Sequence, residues 1–130
     1  HPDGDRVLAA IGAAIRTSIR RPGDIAARYG GEEFAVLMPN TGEEGAIQVA
    51  ESIRSGVAAM AIPHERNSHG VVTVSVGAAT TTPGRASAAE MLVETADRAL
   101  YIAKSSGRNA VRFDGVTAAT AEDDAPRLRA

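Results

Sequence analysis

Two adjacent glycines, Gly30 and Gly31, interrupt two runs of strand-forming residues, and this interruption constrains the chain more than any other feature. Only glycine enters positive φ without steric cost, so Gly30-Gly31 between residues 25–29 and residues 34–38 predicts a two-residue turn joining antiparallel strands. Glu32 and Glu33 follow at once, which places two carboxylates at the mouth of that hairpin. Adjacent glutamates are ordinarily just solvated. At such a turn, a divalent ion would offset their repulsion, and bare glycine backbone would let a phosphate approach closely.

Around this hairpin the pattern alternates between helical and strand periods. Residues 5–19 place Val7, Leu8, Ile11, Ala14, Ile15 and Ile19 at helical spacing, with Asp3 or Asp5 available as a cap. Arg21-Pro22-Gly23-Asp24 predicts a turn leading into the first hairpin strand. Thr41-Gly42-Glu43-Glu44 reads as a capping box opening a helix with Ala46, Val49, Ala50, Ile53, Val57 and Met60 on one face, closed before Pro63. Residues 63–70 are polar and read as a loop; His64 and His69 there lack a third ligand at metal spacing and read as surface histidines. Alternation over residues 71–79 predicts a strand, followed by a loop around Pro83-Gly84. A second capping box, Ser87 to Glu90, opens a helix burying Leu92, Ala96, Ala99, Leu100 and Ala103, which Gly107 stops. Residues 110–113 read as a short strand. Residues 116–130 show no period and read as a mobile tail beyond a domain at 1–115. The expected class is α/β of the α+β kind, a mixed, largely antiparallel sheet flanked by helices.

Size and charge narrow the function. A chain of 130 residues with 44% hydrophobic residues supports one core, and at 3% aromatics that core is aliphatic and alanine-rich. A formal charge of −2 argues against a general binder of nucleic acid polymers or of membrane surfaces, so any nucleotide must be held by a local cluster. There is no cysteine, no stretch of membrane-spanning length and no signal-peptide pattern, and the expected setting is cytoplasmic, with no direct membrane contact by this domain. A parent protein could still be membrane-anchored through other segments.

Gly30-Gly31-Glu32-Glu33-Phe34 resembles the signature of the GGDEF domain of diguanylate cyclases in its GGEEF form, and its flanks, residues 27–29 and 35–39, fit the same pattern. His1-Pro2-Asp3-Gly4-Asp5 is similar to that family's H-x-x-G-D, residues 72–77 to its late strand, and residues 96–101 with 104–109 to its C-terminal signature. Motifs in the expected order over residues 1–113 are far more specific than any one alone. The resemblance implies the palm-like fold of nucleotidyl cyclases and polymerases. The family's domain normally begins upstream, with a strand and helix carrying a metal-binding aspartate and a base-reading asparagine, and this chain begins after both. The expectation is therefore cyclase activity for the parent and little or none for these 130 residues alone.

By the same resemblance, two domains facing each other as a homodimer would join two GTP molecules into cyclic di-GMP, releasing two pyrophosphates. Glu32 would be the hairpin's ligand for Mg2+ or Mn2+ and Glu33 the second carboxylate, binding metal or helping to activate the attacking hydroxyl. Gly30 and Gly31 would admit the nucleotide. Asp5 would accept from the guanine edge, against the plainer reading of a helix cap. Lys104 and Arg108 would contact the terminal phosphates, against the plainer reading that both complement a helix C-terminus. Arg21 and Asp24 match the family's R-x-x-D inhibitory motif for cyclic di-GMP, against an exposed turn with a weak ion pair. A further arginine that the family often supplies from the next helix is Ser52 here, with Arg54 nearby. Two alternatives stand beside the cyclase: a non-catalytic module that senses cyclic di-GMP through Arg21 and Asp24, and a scaffold whose sheet accepts a strand from another chain.

Overall fold

The computed structural model describes residues 2–28, 31–81, 88–115 and 127–129. Among these the element order is α1 (Pro2–Ser18), β1 (Ile25–Arg28), β2 (Phe34–Leu37), α2 (Glu43–Ala59), β3 (Val76–Thr80), α3 (Ala88–Ser105), β4 (Val111–Gly115) and β5 (Arg127–Arg129). The strands form one sheet in the order β1-β2-β5-β3-β4. β1 with β2, β2 with β5 and β3 with β5 pair antiparallel, and only β3 with β4 pairs parallel, so the sheet is mixed and largely antiparallel as expected.

The apolar periodicities identify the helices' buried faces. Ile11 and Ile15 of α1 and Ala46, Ala50, Ile53 and Val57 of α2 meet Phe34, Val36 and Met38 in the main core, which Val72, Val74, Val76 and Ala78 complete. α3 covers β3 with Leu92, Ala96, Ala99, Leu100 and Ala103, all buried. Gly77 lets the two elements meet backbone to backbone, since a Cβ there would stand 2.3 Å from Ala96 O and 2.3 Å from Leu100 N. This close approach anchors the helix whose last turn carries Lys104.

Several boundaries differ from expectation, each for a physical reason. α1 starts at Pro2, so Asp3 and Asp5 lie inside the helix rather than capping it. Arg28 pairs with Phe34, so the hairpin connection runs over residues 29–33 and is longer than a two-residue turn. Within it Gly31 takes a positive φ of 53°, which is the glycine requirement the sequence announced. The first capping box does not form: α2 is capped by Gly42 with no side-chain hydrogen bond, because the Thr41 hydroxyl donates to Pro39 O and accepts from Arg21. Met60, expected on the buried face of α2, lies past its end and is exposed.

β3 starts at Val76, not residue 71; Val71 makes only an isolated bridge with Pro63, so the buried alternation before Val76 packs without a ladder. β4 runs two residues beyond 113. Residues 127–129, within the stretch read as a mobile tail, are β5 and sit between β2 and β3. Their pairs are Ala35 with Arg129, Val36 with Leu128 and Leu37 with Arg127 on one side, and Gly77 with Arg129, Ala78 with Leu128 and Ala79 with Arg127 on the other. His1, Tyr29, Gly30, the Pro83-Gly84 loop, Ser87 and residues 116–126 lie outside the described residues.

Candidate functional site

Lys104, Arg108 and Glu32, from three separate places in the sequence, line one cleft of about 330 Å3. Glu32 comes from the turn between β1 and β2, Lys104 from the last turn of α3 and Arg108 from the segment just past it. His64, Asn67, Thr73 and Ser75 complete the polar part of the wall. The chain turns out of the helix at Gly107 (φ 117°), with Arg108 N donating to Ala103 O at 3.1 Å. Two cations beside one carboxylate in a concave site can hold a polyphosphate while the carboxylate faces a counter-ion. Glu33, half-buried, has an interaction partner of its own and does not line this cleft.

Asp5 lies elsewhere, in a cavity of about 410 Å3 between α1 and the hairpin. Leu8, Ala9, Ile15, Ala26 and Phe34 line it together with Arg16 and Arg28. A cavity with apolar side chains and one carboxylate acceptor can take a base with N–H donors on its edge. Since Asp5 lies within α1, the plain reading of a helix cap does not hold.

Arg21 and Asp24 occupy the turn before β1, closed by Asp24 N donating to Arg21 O at 3.0 Å. Their side chains do not pair. Arg21 Nη1 donates to Thr41 Oγ1 at 2.8 Å and to Asn40 O at 3.3 Å, while Asp24 Oδ1 is buried without a hydrogen-bond partner. An acceptor left this way costs roughly 1–3 kcal/mol unless a ligand donates to it. The helix α2 adds no cation to this turn: Ser52 shares a hydrogen bond with Ser18, and Arg54 pairs with Glu51 and donates to Asn109 Oδ1 at 2.8 Å. The Arg54 hydrogen bond holds the Glu51 carboxyl below its ordinary range, against a smaller opposing effect of burial.

The fold thus places Glu32, Lys104 and Arg108 on one cleft and Asp5 in a separate cavity, and both histidines are exposed, as expected of surface residues, at places the sequence does not indicate. His64 lines the cation-rich cleft, and His69 Nε2 lies 3.0 Å from Gly107 O, between the two basic residues. No spacing rule connects positions so far apart in the chain. Among the described residues no group of three or more His, Cys, Asp or Glu is placed to hold a metal ion, and no helix is long and apolar enough to cross a membrane.

The sequence profile described as diguanylate cyclase, GGDEF domain, matches residues 1–110. The chain is 40% identical over 113 residues to the response regulator PleD of Caulobacter vibrioides, covering 85% of this chain and 24% of that protein. It is 42% identical over 111 residues to diguanylate cyclase A of Treponema denticola, covering 85% and 29%. Among solved structures it is similar to the coiled coil and GGDEF domain of DgcB from Caulobacter crescentus in complex with c-di-GMP, with a TM-score of 0.75 and 33% identity over 88% of this chain and 59% of that one. The chain thus spans about a quarter to a third of the length of these curated relatives. Its motifs, its mixed sheet with three helices and these matches agree on fold as well as sequence, and the chain belongs to the GGDEF domain family of diguanylate cyclases.

Proposed function

We propose that this domain binds GTP and, facing a second copy in a homodimer, joins two GTP molecules into cyclic di-GMP with release of two pyrophosphates. The observation that carries this reading is the convergence of Glu32, Lys104 and Arg108 on one cleft. Two cations that merely complemented a helix end would have no reason to share a concave wall with a turn carboxylate. The volumes of this cleft and of the Asp5 cavity, about 330 and 410 Å3, fall within the range of small-ligand pockets, roughly 300–1,000 Å3.

In this reading Lys104 and Arg108 hold the terminal phosphates, and Asp5 accepts from the guanine ring and amino N–H groups. Each 3′ hydroxyl attacks the α-phosphorus of the opposite nucleotide: an O–P bond forms, the bond to pyrophosphate breaks, and the hydroxyl proton leaves to a base. Glu32 and Glu33 share two tasks, holding the metal and assisting that deprotonation. The donor set fits Mg2+ or Mn2+, because such ions are bound by one or two carboxylates together with substrate phosphates and water rather than by a closed protein cage. When bound, the ion supplies positive charge at the reacting phosphate. Gly31, at positive φ with open space where a Cβ would stand, leaves the turn accessible to the nucleotide.

The test is cyclic di-GMP formation from GTP and magnesium by the protein that carries this domain. Glu32→Gln should lower kcat about 100-fold or more, and Lys104→Ala should raise KM by roughly tenfold. A second reading, a non-catalytic cyclic di-GMP sensor, is favoured by one observation, the buried and unpaired Asp24 Oδ1. We assign Arg21 and Asp24 to a product-binding site, which serves feedback inhibition in a cyclase and sensing in a receptor. Cyclic di-GMP binding that Arg21→Ala abolishes, together with no product from GTP, would favour the sensor.

A further inference from the structure

We infer that His69 is a positioning residue for the polyphosphate cleft, holding Arg108 in its working direction through the carbonyl of Gly107; this rests on reading Lys104 and Arg108 as phosphate ligands. The backbone here is unusual. Gly107, Arg108 and Asn109 have consecutive positive φ angles of 117°, 64° and 48°, and two of the three are not glycine. L-residues avoid this region, so the run persists only where its surroundings hold it.

Two side chains from different elements do so. On one side Arg54 of α2 donates to Asn109 Oδ1 at 2.8 Å, its guanidinium steadied by Glu51. On the other side His69 Nε2 lies 3.0 Å from Gly107 O. A carbonyl only accepts, so Nε2 carries the proton and donates, which the neutral Nε2–H tautomer and the imidazolium both allow.

The loop that presents His69 is itself built. Asn67 Oδ1 accepts from His69 N at 2.8 Å and Gly70 N at 2.9 Å, and Asn67 Nδ2 donates to Val71 O at 2.8 Å. His64 N donates to Gly70 O at 3.0 Å, closing the base of the same loop beside the Pro63–Val71 bridge. Asn67 and His64 also line the cleft that Arg108 enters, so the loop holding the turn and the wall facing the anion are one unit. A surface histidine with no role would need neither this scaffold nor a partner on the residue immediately before Arg108.

The test measures the affinity of this chain for inorganic triphosphate in magnesium buffer by calorimetry. His69→Ala should weaken binding about fivefold, the equivalent of one lost hydrogen bond, and His69→Gln, whose amide can donate from the same place, should restore it to within about twofold. In an Arg108→Ala background His69→Ala should cause no further loss, because the residue acts through Arg108; a merely structural contribution would weaken both backgrounds alike. The inference is overturned if His69→Ala binds as the unaltered chain does while Arg108→Ala is weakened, or if the two losses multiply in the double variant. If triphosphate affinity is indifferent to Lys104→Ala and Arg108→Ala as well, the reading of the cleft fails, and the role of His69 fails with it.

Discussion

Gly77→Ala is the substitution that the packing makes most informative. The added methyl would stand 2.3 Å from Ala96 O, 2.3 Å from Leu100 N and 2.7 Å from Leu100 Cα, about 1 Å short of ordinary van der Waals contact. All three atoms are helix backbone, so no side chain can swing aside and α3 must retreat as a body. A retreat of that size forfeits roughly a quarter to a half of the contact energy along the seam where Leu92, Ala96, Ala99, Leu100 and Ala103 are buried. Overpacking that flexible side chains absorb costs about 1–3 kcal/mol, and a rigid backbone clash should exceed it, at about 4 kcal/mol of a typical total of 5–15. In urea unfolding, with a slope near 2 kcal/mol/M, the midpoint should fall by roughly 2 M. Gly56→Ala is the control: that glycine lies inside α2 with nothing within 4 Å of the added methyl, so it should stabilise by about 0.5–1 kcal/mol. A Gly77→Ala protein within about 0.5 kcal/mol of the unaltered one would refute the close approach of α3 to β3.

Other substitutions separate stability from binding. Asp24→Asn should leave the thermal midpoint unchanged or raise it, since it removes the charge from a carboxylate whose Oδ1 is buried and unpaired, yet weaken cyclic di-GMP binding about tenfold or more; calorimetry and a melting curve on one sample read both. Thr41→Val should lose about 1 kcal/mol of stability in denaturant titration and also weaken cyclic di-GMP, because it frees Arg21 from its 2.8 Å contact. The depressed Glu51 carboxyl contributes stability that is present above its unfolded value of about 4.5 and lost as pH falls through its lower folded value. Glu51 is exposed and Arg54 half-buried, so solvent screens the pair, and comparing acid melting curves with those of Glu51→Gln should show a difference of about 0.5 kcal/mol or less that vanishes at low pH. Removing residues 127–130 should cost on the order of 2–4 kcal/mol and promote self-association by light scattering, since β5 separates β2 from β3 and its loss bares both strands.

What the sequence announced and what it hid divide along physical lines. The three helices were legible because their apolar spacing records one buried face each: of the six α2 residues the periodicity selects, Ala46, Ala50, Ile53 and Val57 are buried, Val49 is partly buried and Met60 is exposed past the helix end. Gly31 and Gly107 announced themselves because positive φ has a compositional signature. β5 did not, since Arg127-Leu128-Arg129 is too short to show a period and its strand character comes from the neighbours it lies between. The capping box at Thr41 failed because a local rule met a partner 20 residues away in Arg21. In the site, the functions of Glu32, Lys104 and Arg108 were suggested by family resemblance, whereas their meeting in one cleft is a property of the fold. His69 was invisible because its bond to Gly107 spans 38 residues.

The measurement closest to the central claim is calorimetric titration of a non-hydrolysable GTP analogue in magnesium, on the unaltered protein, a Lys104→Ala/Arg108→Ala double variant and Arg21→Ala. The shared cleft predicts that the double variant loses analogue affinity by about 100-fold while Arg21→Ala leaves it unchanged, and that cyclic di-GMP shows the reverse pattern. Full analogue affinity in the double variant, or its loss in Arg21→Ala alone, would contradict the assignment of the cleft.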